Sequence, residues 1–234
     1  MSSWWSAPTE SLLHLFFPHC CASCGTDLPD ARQPICIRCR AKLPYTDYPI
    51  LADNPVEQIF WGRLPVRAAC SILYFTRRSM LQQLLHRLKY GGQESLGIAL
   101  GQLMGHALSV TKRFNGIDLL VPLPLHPTRE RKRGYNQASL LCRGMRDVLD
   151  TPMGTKLLIR EVSTKTQTQK TRTERWMSMQ GKFRCIRPEG LKGKRVALID
   201  DVITTGASLE SCGQVILDSG ARSLDIITLA YTLR

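Results

Sequence analysis

The chain has 234 residues, 43% of them hydrophobic and 22% charged, which suits one soluble α/β core with a small appendage. No apolar run approaches the roughly 18 residues of a membrane-spanning helix, so a helical membrane protein is not expected. The net charge of +13 is unevenly placed: residues 126–195 hold 18 Lys and Arg against 6 Asp and Glu, while 196–234 hold 2 against 5. Charge serving only solubility would be spread out, so its concentration points to a polyanion, either pyrophosphate or nucleic acid.

The first residues, MSSWWSAPTESLLHLFFPHC, carry neither a basic leader nor a small-residue cleavage site, and a cytoplasmic protein is expected. SLLHLFF reads as a short helix docked by its apolar face. A peripheral membrane contact through Trp4, Trp5, Phe16 and Phe17 is the alternative. Of nine cysteines, Cys70, Cys142, Cys185 and Cys212 stand alone and read as inert thiols. Cys21-x2-Cys24 and Cys36-x2-Cys39 are two knuckles separated by eleven residues. Each sets two thiolates on one side of a tight turn, and together they complete a tetrahedral zinc site. Two disulfides are the alternative, disfavoured in a chain without an export signal. Four thiolates leave no open coordination position, so the zinc is structural. Cys20 falls outside the spacing. Residues 1–50 are therefore expected to form an N-terminal helix and zinc ribbon, and residues 51–234 a second domain.

After a proline-punctuated linker over 45–55, residues 67–75 read as a strand. Residues 79–92 have apolar positions at 81, 84, 85 and 88 and a Gly91-Gly92 stop, which is helical spacing. A second helix follows from Glu94, and His86 and His106 read as surface histidines. Residues 117–125 form a strand stopped by Pro122 and Pro124, then a charged loop, Arg129–Arg133, and a helix from Asn136 to Leu149. Residues 155–160 read as a strand. The segment 161–183 is polar, basic and aperiodic, the character of a lid.

The stretch VALIDDVITTGAS, residues 196–208, is the densest in chemistry. Val196–Ile199 is an apolar run of the kind found in buried parallel strands, and a helix begins beyond Gly206 and stops at Gly220. At such a junction loop amides, hydroxyls and the helix N-terminus converge on one point and can cradle a phosphate. Asp200 and Asp201 stand at the strand's C-terminal end, where open α/β sheets bind ligands, and suit hydroxyl groups or hydrated Mg²⁺. Phosphate on one side with diol and metal on the other describes a ribose 5-phosphate; an ordinary strand–helix turn is the alternative. Gly206 is expected to leave room for amides to approach the phosphate. A last strand covers 223–232. Strands alternating with helices over short loops imply an α/β fold, a mostly parallel sheet with helices on both faces.

This pattern resembles the phosphoribosyl pyrophosphate loop of type I phosphoribosyltransferases, and more of the chain resembles the ComF/GntX-like family linked to natural competence. Leu88-Lys89-Tyr90-Gly91 is similar to that family's LKY-x-G cluster, and VPLPLH…RGYNQ (121–137) to its VPVPLH…RGFNQ, with Tyr135 in place of Phe. Arg160, Thr164, Gln167, Arg175 and Phe183 match its catalytic-loop spacing, while Lys170 and Ser178 replace the usual Leu and Asn. The resemblance implies a type I phosphoribosyltransferase-like fold behind a zinc ribbon. It also implies phosphoribosyl pyrophosphate and Mg²⁺ as ligands, and a part in DNA uptake alongside other competence proteins. It gives Asp200 and Asp201 the ribose hydroxyls and Thr204, Thr205, Gly206, Ala207 and Ser208 the 5-phosphate. Arg133, with Lys132, takes the pyrophosphate, and Arg172 and Arg175 close from the lid. Purine-type relatives carry an acid where this chain has Thr204, and a threonine cannot act as general base. Phosphoribosyl binding is thus better supported than transfer. The alternative is a single-stranded DNA-binding competence factor or a ligand sensor. For base stacking the basic stretch offers Tyr135, Trp176 and Phe183.

Overall fold

The computed structural model describes residues 18–30, 33–161 and 183–233. Residues 1–17 and 162–182, with the expected N-terminal helix, Trp176, Arg172 and Arg175, lie outside them. The described elements are α1 (Ile37–Ala41), α2 (Pro55–Gln58), β1 (Ala68–Phe75), α3 (Met80–Tyr90), α4 (Glu94–Ser109), β2 (Leu119–Pro122), α5 (Pro127–Arg133), α6 (Gln137–Leu149), β3 (Leu158–Arg160), β4 (Phe183–Cys185), β5 (Arg195–Ile203), α7 (Ala207–Asp218) and β6 (Ser223–Thr232).

Four strands form one sheet in the order β1-β6-β5-β2, parallel throughout. Val196–Ile199 of β5 and Leu224–Ala230 of β6 are buried at every position, which requires cover on both faces and explains their largely apolar character. The expected α/β architecture is therefore found. On α4 and α6 the backbones touch: a Cβ on Gly144 would collide with the carbonyl of Ile98, and one on Gly101 with that of Leu141. These two glycines let α6 lie close enough to seat Leu140, Leu141 and Met145 in the core.

Three elements differ from the sequence reading. The charged run expected as a loop is a helix, α5. His126 caps it by accepting from the Thr128 amide, Pro127 occupies its first turn, and Gly134 ends it at φ 83°. It buries no residue, so it had no apolar period to reveal it. Second, β5 runs to Ile203 because β6 continues beside it, pairing Ile203 with Tyr231. Asp200 and Asp201 thus lie within the strand, near the C-terminal end where they were expected. Third, the strand expected over 155–160 is reduced to β3, which pairs antiparallel with β4 and not with the main sheet.

Cys21, Leu28 and Cys39 form a small cluster of their own, and Met80 at the start of α3 packs against both this cluster and the main core. The segment expected as a linker is laid along β1: Thr46 donates its amide to Ile72 O at 2.9 Å, and Tyr74 donates to Pro44 O at 2.8 Å. Tyr48 is buried there. Among the described residues no helix is long and apolar enough to cross a membrane.

Candidate functional site

The C-terminal end of β5 leads through exposed Thr204 and Thr205 to Gly206, whose φ is 73°. Gly206 opens α7 without any side-chain cap, whereas α3 and α6 are capped by Ser79 and Asn136. The first amides of a helix lack intrahelical partners, so the open end of α7 presents donors and the positive end of its dipole beside the threonine hydroxyls. The constraint on Gly206 differs from the expected one. A Cβ there would meet Ile59 Cγ2 at 2.7 Å and the Phe60 ring at 3.2 Å. The glycine is required by its left-handed backbone and by the protein behind it, not by the phosphate side.

Arg63 fastens this loop from below. Its Nη1 donates to Thr205 O at 3.2 Å and to Ile59 O at 3.0 Å, while Nη2 forms an ion pair with Glu210 on α7. No local pattern marks Arg63, because its partners Thr205 and Glu210 lie 142 and 147 positions away.

The two aspartates have unlike surroundings. Asp201 pairs with Lys89 Nζ at 2.8 Å. Asp200 Oδ1 accepts the Asp201 amide at 2.8 Å. Its carboxyl is pushed up to about 8, chiefly by burial and then by the Asp201 charge, against the pull of that amide, Lys89 and Arg160. Two adjacent carboxylates in a poorly hydrated place cannot both ionise cheaply. Arg160 stands over the Phe183 ring at 5.4 Å. Burial, then the Arg129 charge, draws its guanidinium below the ordinary value.

The end of α3 joins the halves of the site. Leu88 O accepts from the Tyr135 hydroxyl at 2.8 Å, Lys89 holds Asp201, and the Tyr90 ring lies 5.3 Å beneath the Arg133 guanidinium. Arg133 also donates to Gln137 Oε1 at 2.6 Å. Asp201, Tyr135 and Arg133 are thereby linked through one helical turn, while Arg131 and Lys132 are exposed. Lys89 was missed as a site residue, although it lies within the Leu-Lys-Tyr-Gly cluster. Beyond the edge strand β2 lies a cavity of about 560 Å³ walled by Pro122, Pro124, Leu125 and Leu157, with Arg160 at one side. The carboxylate pair offers the oxygen ligands that Mg²⁺ takes, commonly one or two carboxylates completed by substrate phosphates.

At the N-terminus the sulfurs of Cys21, Cys24, Cys36 and Cys39 all lie within 4.8 Å of one another, and Cys24 Sγ is 3.7 Å from Cys36 Sγ. A tetrahedron with zinc–sulfur bonds of about 2.3 Å has edges of about 3.8 Å, so the four cysteines could hold zinc. The Cys36 amide donates to Cys21 Sγ at 3.3 Å and the Cys39 amide to Cys36 Sγ at 3.4 Å, the support knuckle thiolates need. Cys20 is exposed and outside the cluster. Cys70, Cys142 and Cys212 are buried, Cys185 partly so, and His86 and His106 are exposed.

The competence protein ComFC of Bacillus subtilis is 30% identical to the chain over 217 residues, 89% of this chain and 82% of that protein. The chain belongs to the ComF family. The DNA utilization protein YhgH of Salmonella typhimurium is 28% identical over 217 residues, covering 91% of this chain and 84% of that one. Competence protein F of Haemophilus influenzae is 27% identical over 218 residues, covering 92% and 85%. No family model matches. Among solved structures, a glutamine phosphoribosylpyrophosphate amidotransferase from B. subtilis overlies 58% of this chain and 26% of its own, at 18% identity and a TM-score of 0.42. An adenine phosphoribosyltransferase from Leishmania donovani overlies 80% and 86%, at 16% identity and a TM-score of 0.38. Likenesses this loose carry no inference about chemistry.

Proposed function

We propose that this ComF-family chain binds phosphoribosyl pyrophosphate with Mg²⁺ and acts in natural competence. The observation that carries the reading is the meeting, at one strand end, of two carboxylates with the uncapped N-terminus of α7. Asp200 and Asp201 would take the ribose hydroxyls. The amides and hydroxyls of Thr204, Thr205, Gly206, Ala207 and Ser208 would take the 5-phosphate. Arg133, held by Tyr90 and Gln137, and Lys132 would face the pyrophosphate, with Arg172 and Arg175 closing over it. Mg²⁺, when bound, would neutralise the pyrophosphate charge. Loss of pyrophosphate builds positive charge on the sugar, as in glycoside cleavage, and fixed charges would favour that step by preorganisation. The four cysteines would hold structural zinc, in keeping with a cytoplasmic protein whose thiols stay reduced. Calorimetry with phosphoribosyl pyrophosphate and Mg²⁺ tests the reading. Wild type should bind, and Asp200→Asn with Asp201→Asn should not while keeping its far-UV spectrum; equal binding by both would reduce the loop to a turn.

A second reading rests on α5, which exposes Arg129, Arg131 and Lys132 to solvent and buries nothing. Such a surface suits the phosphates of single-stranded DNA, and the relatives named for competence and DNA utilization accord with it, as would binding to other competence proteins.

A further inference from the structure

The aromatic side chains described in the basic stretch are not available as a stacking platform. The Tyr135 hydroxyl is tied to Leu88 O, and Phe183 is buried beneath Arg160. The exposed ring of neighbouring Tyr90 already packs with Arg133 and His86. What the surface beside α5 offers instead is the cavity. Its volume of about 560 Å³ falls within the roughly 300–1,000 Å³ usual for sites that take small molecules.

Three prolines, Pro122, Pro124 and Pro127, with Leu125, Leu157 and Leu158, give it flat apolar walls. Few polar groups interrupt them. Asn136 is spent on the Leu123 carbonyl and the Ala138 amide, which leaves the Ser139 and Thr155 hydroxyls, the Glu130 carboxylate and the Arg160 guanidinium to meet polar edges. Lys156 stands exposed in the lining loop at φ 58°. Non-glycine residues held in that conformation gather at ligand clamps.

The cavity has the end of β2 as its floor and α5 as one wall, the side that the proposed function gives to pyrophosphate and not to an acceptor. Its neighbours point to a different occupant: apolar walls for a flat ring, N–H acceptors at the edge, and cations of Lys156 and α5 around the rim for the attached phosphates.

We propose that this cavity is a slot for one unstacked base of single-stranded nucleic acid, with the flanking phosphates lying on α5 and Lys156. This inference rests on the second reading above and gives it a base-binding subsite. The slot adds affinity for each strand without a rigid sequence code, because flat apolar walls accept any base, and Glu130 and Ser139 meet whichever N–H edge is presented.

Fluorescence anisotropy with a labelled oligodeoxynucleotide, an abasic strand of equal length and a mononucleotide competitor tests it. Wild type should bind the normal strand about tenfold tighter than the abasic strand, the order of gain expected from burying one base against apolar walls. Ser139→Phe, which fills the slot from α6, should bind both strands alike at the abasic level. Its salt dependence, melting temperature and phosphoribosyl pyrophosphate binding should stay as in wild type. Leu125→Trp fills the slot from the other wall and carries the same test if Ser139→Phe does not fold. Equal binding of both strands by wild type, or discrimination retained in the filled variants, overturns the slot while leaving backbone binding intact. Displacement of the strand by mononucleotide at matched nucleotide concentration would assign the cavity to free nucleotides and overturn the proposal. Failure of both strands to bind would remove the second reading itself, and the slot with it.

Discussion

Replacing Asp200 with asparagine should stabilise the folded protein, and increasingly so as the pH rises. The carboxyl has an ordinary value near 3.8 and is pushed up to about 8 in the fold. Between those limits the native state retains a proton that the unfolded chain releases, so the residue's contribution to stability falls with rising pH. Below about pH 4 both states are protonated and no stability is sacrificed; above about pH 8 the full cost is present. Each pKa unit corresponds to about 1.4 kcal/mol, and the whole displacement at full weight would be about 5–6 kcal/mol. Asp200 is only partly buried and has Lys89 and Arg160 nearby, so relaxation and water reduce this to about 2 kcal/mol. For a chain of this length that is about 4–8 °C in Tm. Thermal melts of wild type and Asp200→Asn should therefore coincide at about pH 4 and diverge steadily to about pH 8, the variant melting higher. Parallel curves across that range would refute the reasoning, since they would mean that the carboxyl titrates as it does in water.

The same proton should be released when a cation or ligand draws Asp200 into its ionised form, so calorimetric enthalpies at about pH 7 should vary with the ionisation enthalpy of the buffer; buffer-independent heats would contradict this. Protein purified without chelator should contain about one zinc per chain, and Cys39→Ser should lose it, with elemental analysis as the check. Arg63→Ala should weaken phosphoribosyl pyrophosphate binding about tenfold through the loosened Thr205–Gly206 turn, whereas Arg63→Lys should restore little because the forked hydrogen bonds need a guanidinium. Charge reversal at Arg131 and Lys132 should flatten the dependence of log K for single-stranded DNA on log salt by roughly 0.7 for each phosphate no longer neutralised; an unchanged slope would mean that α5 merely solubilises the protein.

The features legible in the sequence are those whose physics is local. The Cys-x-x-Cys knuckles, the apolar period of α3 and the strand–loop–helix over 196–218 each declare themselves within a short stretch of chain. What escaped depends on distant partners. Nothing around Asp201 shows where β5 ends, because its length is set by β6 alongside it. Two three-residue strands, β3 and β4, are too short to show alternation and pair only with each other across a long gap in sequence. Arg63 is one arginine among many until Glu210 and Thr205 are brought to it. The cavity has no sequence signature because its walls come from β2, α5, α6 and the loop before β3.

The three residues at the end of α3 show how such distant parts become one site. A polyanion would need cations from several elements at once, yet like charges crowded together repel, as the influence of Arg129 on Arg160 illustrates. The fold separates them by function. Lys89 offsets Asp201, Arg133 is spread over the Tyr90 ring and bonded to Gln137, and the remaining α5 cations face solvent. Because Leu88, Lys89 and Tyr90 are consecutive, one turn of helix fixes the spacing between the acidic strand end and the basic helix. A shift of α3 would disturb Tyr135, Asp201 and Arg133 together. That shared dependence gives a physical reason for the Leu-Lys-Tyr-Gly cluster to sit where α3 ends: it ties the acidic and the basic halves of the site to one rigid element.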